Sequence, residues 1–137
     1  DADAELEAVH ENKMFEDFET AMITDFPEFT SPFWNMSRYD SGVHSKKIDV
    51  ILGGMETIGS AERSTDVDMM RDTFHTITEG AYSSLLFELF SKNRVQGELE
   101  EFLQHDFFPR VGGGIGMTRM IAALEKQKQK EIELAAA

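Results

Sequence analysis

The run KIDVILGGMETIGSAER, Lys47 to Arg63, constrains the fold more than any other stretch. Ile48, Val50 and Leu52 alternate with Asp49 and Ile51, and a second run resumes at Met55. Gly53-Gly54 between two such runs predicts a tight hairpin. Further strands are expected at 21–25, stopped by Pro27, at 32–36 after Pro32, and at 108–114. A helix is expected over 2–20, where Leu6, Val9, His10, Met14 and Phe18 fall near helical spacing. Thr65 or Asp66 can cap a second helix through Thr76, and two more are expected at 81–91 and 95–104. Met117, Met120, Ile121 and Leu124 follow the i, i+3, i+4, i+7 pattern of a last helix, whose polar tail KQKQKEIELAAA is expected to fray. The expected fold class is α+β: an antiparallel sheet with helices packed on one face, as one domain over residues 1–137 without internal repeats.

Two constellations carry candidate chemistry. Gly112, Gly113, Gly114 and Gly116 sit where the last strand enters the last helix. Glycine lets a ligand approach the backbone, and a helix N-terminus with free amides suits an anion. Arg119, in the first turn, offers a guanidinium for phosphate oxygens. No Lys-Ser/Thr pair follows the glycines, which excludes a Walker A loop, and no strand follows the helix to make a Rossmann unit. The same residues would also serve a plain helix-entry turn with a surface arginine. In the hairpin, a Gly53-Gly54 turn sets Ile51 opposite Glu56 and Asp49 opposite Ile58. Side chains alternate along each strand, so Asp49 and Glu56 share a face as diagonal neighbours. Two carboxylates there repel unless a cation lies between them, and all-oxygen ligation suits magnesium bridging to nucleotide phosphates. The other reading is two solvated acids on an exposed face.

The glycine segment GIGMTRM resembles motif 3 of the class II aminoacyl-tRNA synthetases, with Pro109 also in register. METIGSAER resembles the aspartyl/asparaginyl segment Gly-Glu-Ile-Ile-Gly-Gly-Ser-Gln-Arg through Glu56, Ile58, Gly59 and Arg63. MITDFPEFTSPFWNM is similar to a third stretch of that branch through Asp25, Phe26, Pro27, Phe33 and Trp34. The resemblance covers residues 5–124 in order. It implies that Arg119 binds the terminal phosphates of ATP, with Gly114 and Gly116 giving the nucleotide access. It implies that Asp49 and Glu56 hold ATP-bound Mg2+, and that Arg63 recognises the side-chain carboxylate or amide of the amino acid. Strict alternation places Arg63 on the opposite face from Glu56, so a bulge near Gly59-Ser60 is expected if both are to open onto one cleft. The implied reaction is ATP-dependent formation of an aspartyl or asparaginyl adenylate by a ligase.

Thr118 stands where synthetases carry an acid, and Ser60, Glu62 and Ser64 replace Gly, Gln and Glu. The triple glycine with a hydroxyl residue before the arginine is closer to ammonia-dependent asparagine synthetase, a paralogue on the same fold. That leaves tRNA and ammonia both open as acceptors, and aspartate and asparagine both open as substrates. A non-catalytic synthetase-like binding module is a further alternative. Motifs 1 and 2 of the family have no counterpart here, so residues 1–137 are expected to be the C-terminal half of such a catalytic domain, carrying motif 3 and inactive alone, and homodimerisation belongs to the full-length protein. It begins at Asp1, as a truncated or processed chain would, and the helical stretch 66–104 is longer than asparaginyl synthetases lead one to expect.

The formal net charge is −13, which repels a phosphate backbone, so tRNA contacts are expected outside this segment or at a local patch. The absence of cysteine excludes disulfides and thiolate metal sites and is compatible with a cytoplasmic protein. No apolar run approaches the ~20 residues of a membrane span, and the acidic start is not a signal peptide. His44, His75 and His105 adjoin no nucleophile and read as structural, and the eight methionines read as core fillers.

Overall fold

The computed structural model describes residues 8–136 and orders its elements as α1 (Ala8–Asp17), β1 (Thr20–Pro27), β2 (His44–Leu52), β3 (Met55–Arg63), α2 (Val67–Thr76), α3 (Ala81–Phe90), α4 (Lys92–Leu103), β4 (Arg110–Ile115) and α5 (Met117–Ala136). The strands form a four-stranded antiparallel sheet in the order β1-β2-β3-β4, so the fold is α+β. Positions 2–7 of the expected first helix lie outside the described residues.

Two expectations need correction. Residues 32–36 are not a strand; Met36 and Arg38 make only isolated bridges, to Arg63 and Ser45. Phe33 and Trp34 are committed to aromatic packing instead, Trp34 lying 5.5 Å from Phe74 and 5.6 Å from Phe102 between ring centroids. The polar tail of α5 is helical through Ala136. Gln127–Glu131 and Gln129–Glu133 hydrogen bonds at i,i+4 support it from within.

The chain divides into two compact units. The hairpin unit comprises the chain through Asp25, Ile48–Ser60 and the chain from Gly113. Gly53 and Gly54 form its turn, the tight hairpin expected there, with positive φ of 60° and 81° that glycine adopts readily. Gly53 has a second duty. A β-carbon there would stand 3.1 Å from the Ala123 Cα, so its absence lets α5 pack on the turn. Lys126 Nζ donates to the Gly53 carbonyl at 2.6 Å and fastens the same contact. Arg119 rides on the helix that this contact positions.

The helical unit comprises Phe26–Lys47 and Ala61–Gly112. Asp66 caps α2 by accepting from the Met69 amide at 2.9 Å, as expected of an N-cap. Met70, Phe74 and Ile77 on one face and Val95, Leu99 and Leu103 on α4 follow helical spacing, and with Trp34 they make the core. Met70 is fully buried, as a core-filling methionine should be, but Met22 and Met117 are exposed, so the reading of the methionines as core fillers does not hold for all of them.

Candidate functional site

Asp49, on β2, is 4% exposed, whereas the Glu56 side chain on β3 is 39% exposed. Gly59 shows where their carboxylates point. A β-carbon at Gly59 would lie 2.9 Å from Glu56 Oε1 and 3.4 Å from Asp49 Oδ1. The two acids therefore converge on the space that this glycine leaves empty. Strict alternation would turn Gly59 away from Glu56, three residues earlier. The alternation thus breaks between Glu56 and Gly59, as it does where a strand carries one extra residue. The irregularity falls just before the Gly59-Ser60 position expected from the sequence. The backbone amide of Glu56 donates to the Glu11 carboxylate on α1 at 3.1 Å, which fixes the strand from its other end.

β4 brings in the third group. Gly113 passes so close to β3 that a β-carbon would stand 2.7 Å from the Gly59 carbonyl oxygen. The Gly116 amide donates to the Thr57 carbonyl at 2.8 Å, and its own carbonyl accepts from Met120 as α5 begins. Arg119 consequently folds back over β3: Nη1 donates to the Glu56 carbonyl at 2.7 Å and stands 3.8 Å from Glu56 Oε2. Its side chain is 55% exposed. Gly114 has open space where a side chain would project. Asp49, Glu56 and Arg119 are thus gathered at one place in the hairpin unit, beside the glycine-lined entry to α5. Among the described residues no group of three or more His, Asp or Glu side chains is arranged to hold a metal by itself. Two carboxylates suit magnesium, which keeps waters and takes substrate phosphates as its remaining ligands.

The match to known proteins is decided by sequence. Residues 2–134 match the family described as tRNA synthetases, class II (D, K and N). The chain belongs to that family. No curated protein matches it in sequence. Solved structures show the same fold. Asparaginyl-tRNA synthetase from Pyrococcus horikoshii has a TM-score of 0.67 at 18% identity over 90% of this chain and 27% of its own. Asparaginyl-tRNA synthetase from Entamoeba histolytica, solved with asparaginyl-adenylate, has a TM-score of 0.68 at 14% identity, again over 90% and 27%. Aspartyl-tRNA synthetase from the same organism scores 0.62 at 18% identity over 88% and 24%. This synthetase-family chain therefore spans about a quarter of the length of the solved structures it matches. Among its described residues no helix is long and apolar enough to cross a membrane.

Arg63 belongs to the helical unit. Its Nη1 donates to Asn35 Oδ1 and its Nη2 to the Gly112 carbonyl, each at 3.0 Å. Burial first, and the positive charge of Arg110 second, pull its pKa below the ordinary guanidinium value. Arg110 was not singled out from the sequence. It lies two residues before Gly112 in β4 and stacks over Phe107 at 4.6 Å. The signal available was its place between Pro109 and the glycines, on a strand that pairs with the strand carrying Arg63.

Proposed function

We propose that the hairpin unit is the phosphate and magnesium end of an ATP-dependent amino-acid-activating site, within an aspartyl/asparaginyl ligase of the class II family. The observation that carries this reading is Glu56 standing between the Asp49 carboxylate and the Arg119 guanidinium. Asp49 and Glu56 would hold Mg2+, which neutralises phosphate charge when bound. Arg119, half-exposed and anchored through Nη1, keeps its remaining donors for the terminal phosphates. Gly114 and Gly116 leave the backbone open for the nucleotide to lie against β4. In the reaction a carboxylate oxygen of the amino acid attacks the α-phosphorus in line, pyrophosphate leaves, and an aminoacyl adenylate remains. The contribution of these residues is positioning and charge stabilisation rather than proton transfer. The asparaginyl-adenylate held by two solved relatives supports the substrate class.

Thr118 favours a second reading of the later step, with ammonia in place of tRNA as acceptor, since an acid is the usual residue there in the tRNA-charging enzymes. Homodimerisation of the full-length protein, tRNA contacts outside this segment and a cytoplasmic location belong to the same proposal.

Calorimetry of the chain with ATP and MgCl2 tests the nucleotide site. Magnesium-dependent binding is expected, weakened by about tenfold in Glu56→Gln and in Arg119→Ala. A folded chain that binds no ATP, or variants that bind as the parent does, would remove the reading. In the longer protein, ATP–pyrophosphate exchange with aspartate and with asparagine tests the reaction, and release of asparagine from aspartate and ammonia separates the two acceptors.

A further inference from the structure

β4 ends at Ile115, and the Gly116 amide takes the Thr57 carbonyl at 2.8 Å as the chain turns into α5. One residue earlier on β3, charged side chains meet the backbone. The Glu56 amide donates to Glu11 Oε2 at 3.1 Å, and the Glu56 carbonyl accepts from Arg119 Nη1 at 2.7 Å. Backbone groups in a sheet are ordinarily paired by the ladder. Here a carboxylate from 45 positions upstream and a guanidinium from 63 positions downstream take part of that role. All three residues belong to the hairpin unit.

Hydrogen bonds to charged groups are about twice as strong as those between neutral ones. They matter at Glu56 because its side chain is otherwise loosely held. It is exposed by 39%, and its Oε2 stands 3.8 Å from Arg119 Nη1, too far for a hydrogen bond. The direction of the carboxylate therefore depends on the backbone that carries it. The alternation of β3 breaks just after Glu56, and a peptide at such a break turns easily unless it is tied. Glu11 ties it on the amide side. Glu11 is not a third metal ligand, since among the described residues no three acids gather to hold a metal.

We propose that Glu11 is a positioning residue for the magnesium end of the site. By holding the Glu56 amide it keeps the Glu56 carboxylate beside Asp49, and so sets how strongly Mg2+ tightens nucleotide binding. This rests on the reading of Asp49 and Glu56 as the Mg2+ holders. Arg119 ties the other side of Glu56 but also faces phosphate, whereas Glu11 acts only through Glu56. A group that orients a metal ligand without touching the metal changes metal affinity nearly as much as a ligand does.

The test is calorimetry of the chain with ATP, with and without MgCl2, beside thermal melts. The readout is the gain in ATP affinity that Mg2+ confers. Glu11→Ala should lower that gain about tenfold, while affinity without Mg2+ changes by less than about twofold. Glu11→Gln keeps an oxygen for the Glu56 amide and should restore most of the gain. In nitrogen-labelled protein the Glu56 amide should exchange with solvent faster in Glu11→Ala than in Glu11→Gln. A full gain in Glu11→Ala would overturn the proposal. So would an equal loss in Glu11→Gln, which would implicate charge rather than the hydrogen bond, or an equal weakening with and without Mg2+, the mark of a merely structural role. If Glu11→Ala does not fold, Glu11→Asp decides: its carboxylate is withdrawn by one methylene, and an undiminished gain there overturns the proposal. Glu56→Gln separates the two readings. A full gain in Glu56→Gln removes the magnesium site itself, whereas loss in Glu56→Gln with none in Glu11→Ala removes only the role of Glu11.

Discussion

The two units are built on different physics. Among the described side chains the helical unit buries Trp34, Ala61, Met70, Phe74, Ile77, Val95, Leu99 and Leu103, whereas the hairpin unit buries only Ile51 and Ala123 of the apolar residues. In the hairpin unit the other buried side chains are polar, Asp49 and Thr57, and Met22, Ile115, Met117, Ile121 and Leu124 are exposed. Its geometry comes from close backbone approach at Gly53 and Gly113. The comparison teaches where each unit can tolerate change. A unit that rests on apolar burial responds to lost volume. A unit that rests on glycine contacts responds to a single added methyl.

The largest expected effect breaks the helical side of that contrast. Phe74→Ala removes a 4% exposed ring that meets Trp34 and Tyr82 edge-on. It should cost about 3–5 kcal/mol of unfolding free energy in urea denaturation. A loss under about 1 kcal/mol would mean that the aromatic cluster does not hold this unit.

Next comes Gly113→Ala. Its methyl would stand 2.7 Å from the Gly59 carbonyl and from Ser60 Cβ, so β3 and β4 must separate. A destabilisation of about 1–3 kcal/mol is expected from one added carbon. Parent-like stability would show that strand spacing at the site is softer than the contacts suggest.

Gly59→Ala sharpens the contrast, because function and stability should part. Its methyl meets the end of the flexible Glu56 side chain at 2.9 Å rather than backbone. Stability should change by less than about 0.5 kcal/mol, while magnesium-dependent ATP binding should weaken several-fold through displacement of the Glu56 carboxylate. Equal ATP affinity in parent and variant would argue that Glu56 is not a metal ligand.

The smallest effect is electrostatic and belongs to the helical unit. The hydrogen bond from Lys46 holds Glu62 below the ordinary carboxylate value of 4.5, and that from Arg71 does the same for Glu100. Groups with depressed folded-state pKa values contribute stability above 4.5 and lose it as pH falls through their lower folded values. Both pairs are exposed, so the loss should be slight and should shrink further in high salt. Denaturation profiles of Glu62→Gln and Glu100→Gln across pH 5 to 3 should be flatter than the parent's.

Local pattern was enough for much of the fold. Gly53-Gly54 dictated its turn because only glycine takes positive φ twice without strain. Asp66 dictated the start of α2 because a short acidic side chain can satisfy the first free amides. The order of Asp49, Glu56, Arg63 and Arg119 along the chain carried the family resemblance. Where a residue's partner lies far along the chain, the sequence was silent. Alternation along β3 could not place the break between Glu56 and Gly59, since a bulge is settled by pairing with both neighbouring strands. Residues 32–36 had strand composition, yet Trp34 gained more from Phe74 and Phe102, some 40 and 68 positions away, than from a ladder. Arg110 looked like any surface arginine until β4 paired with β3, and its positive charge helps to lower the pKa of Arg63. Charge balance within a site is a property of three-dimensional neighbours, and only the tertiary structure could decide it.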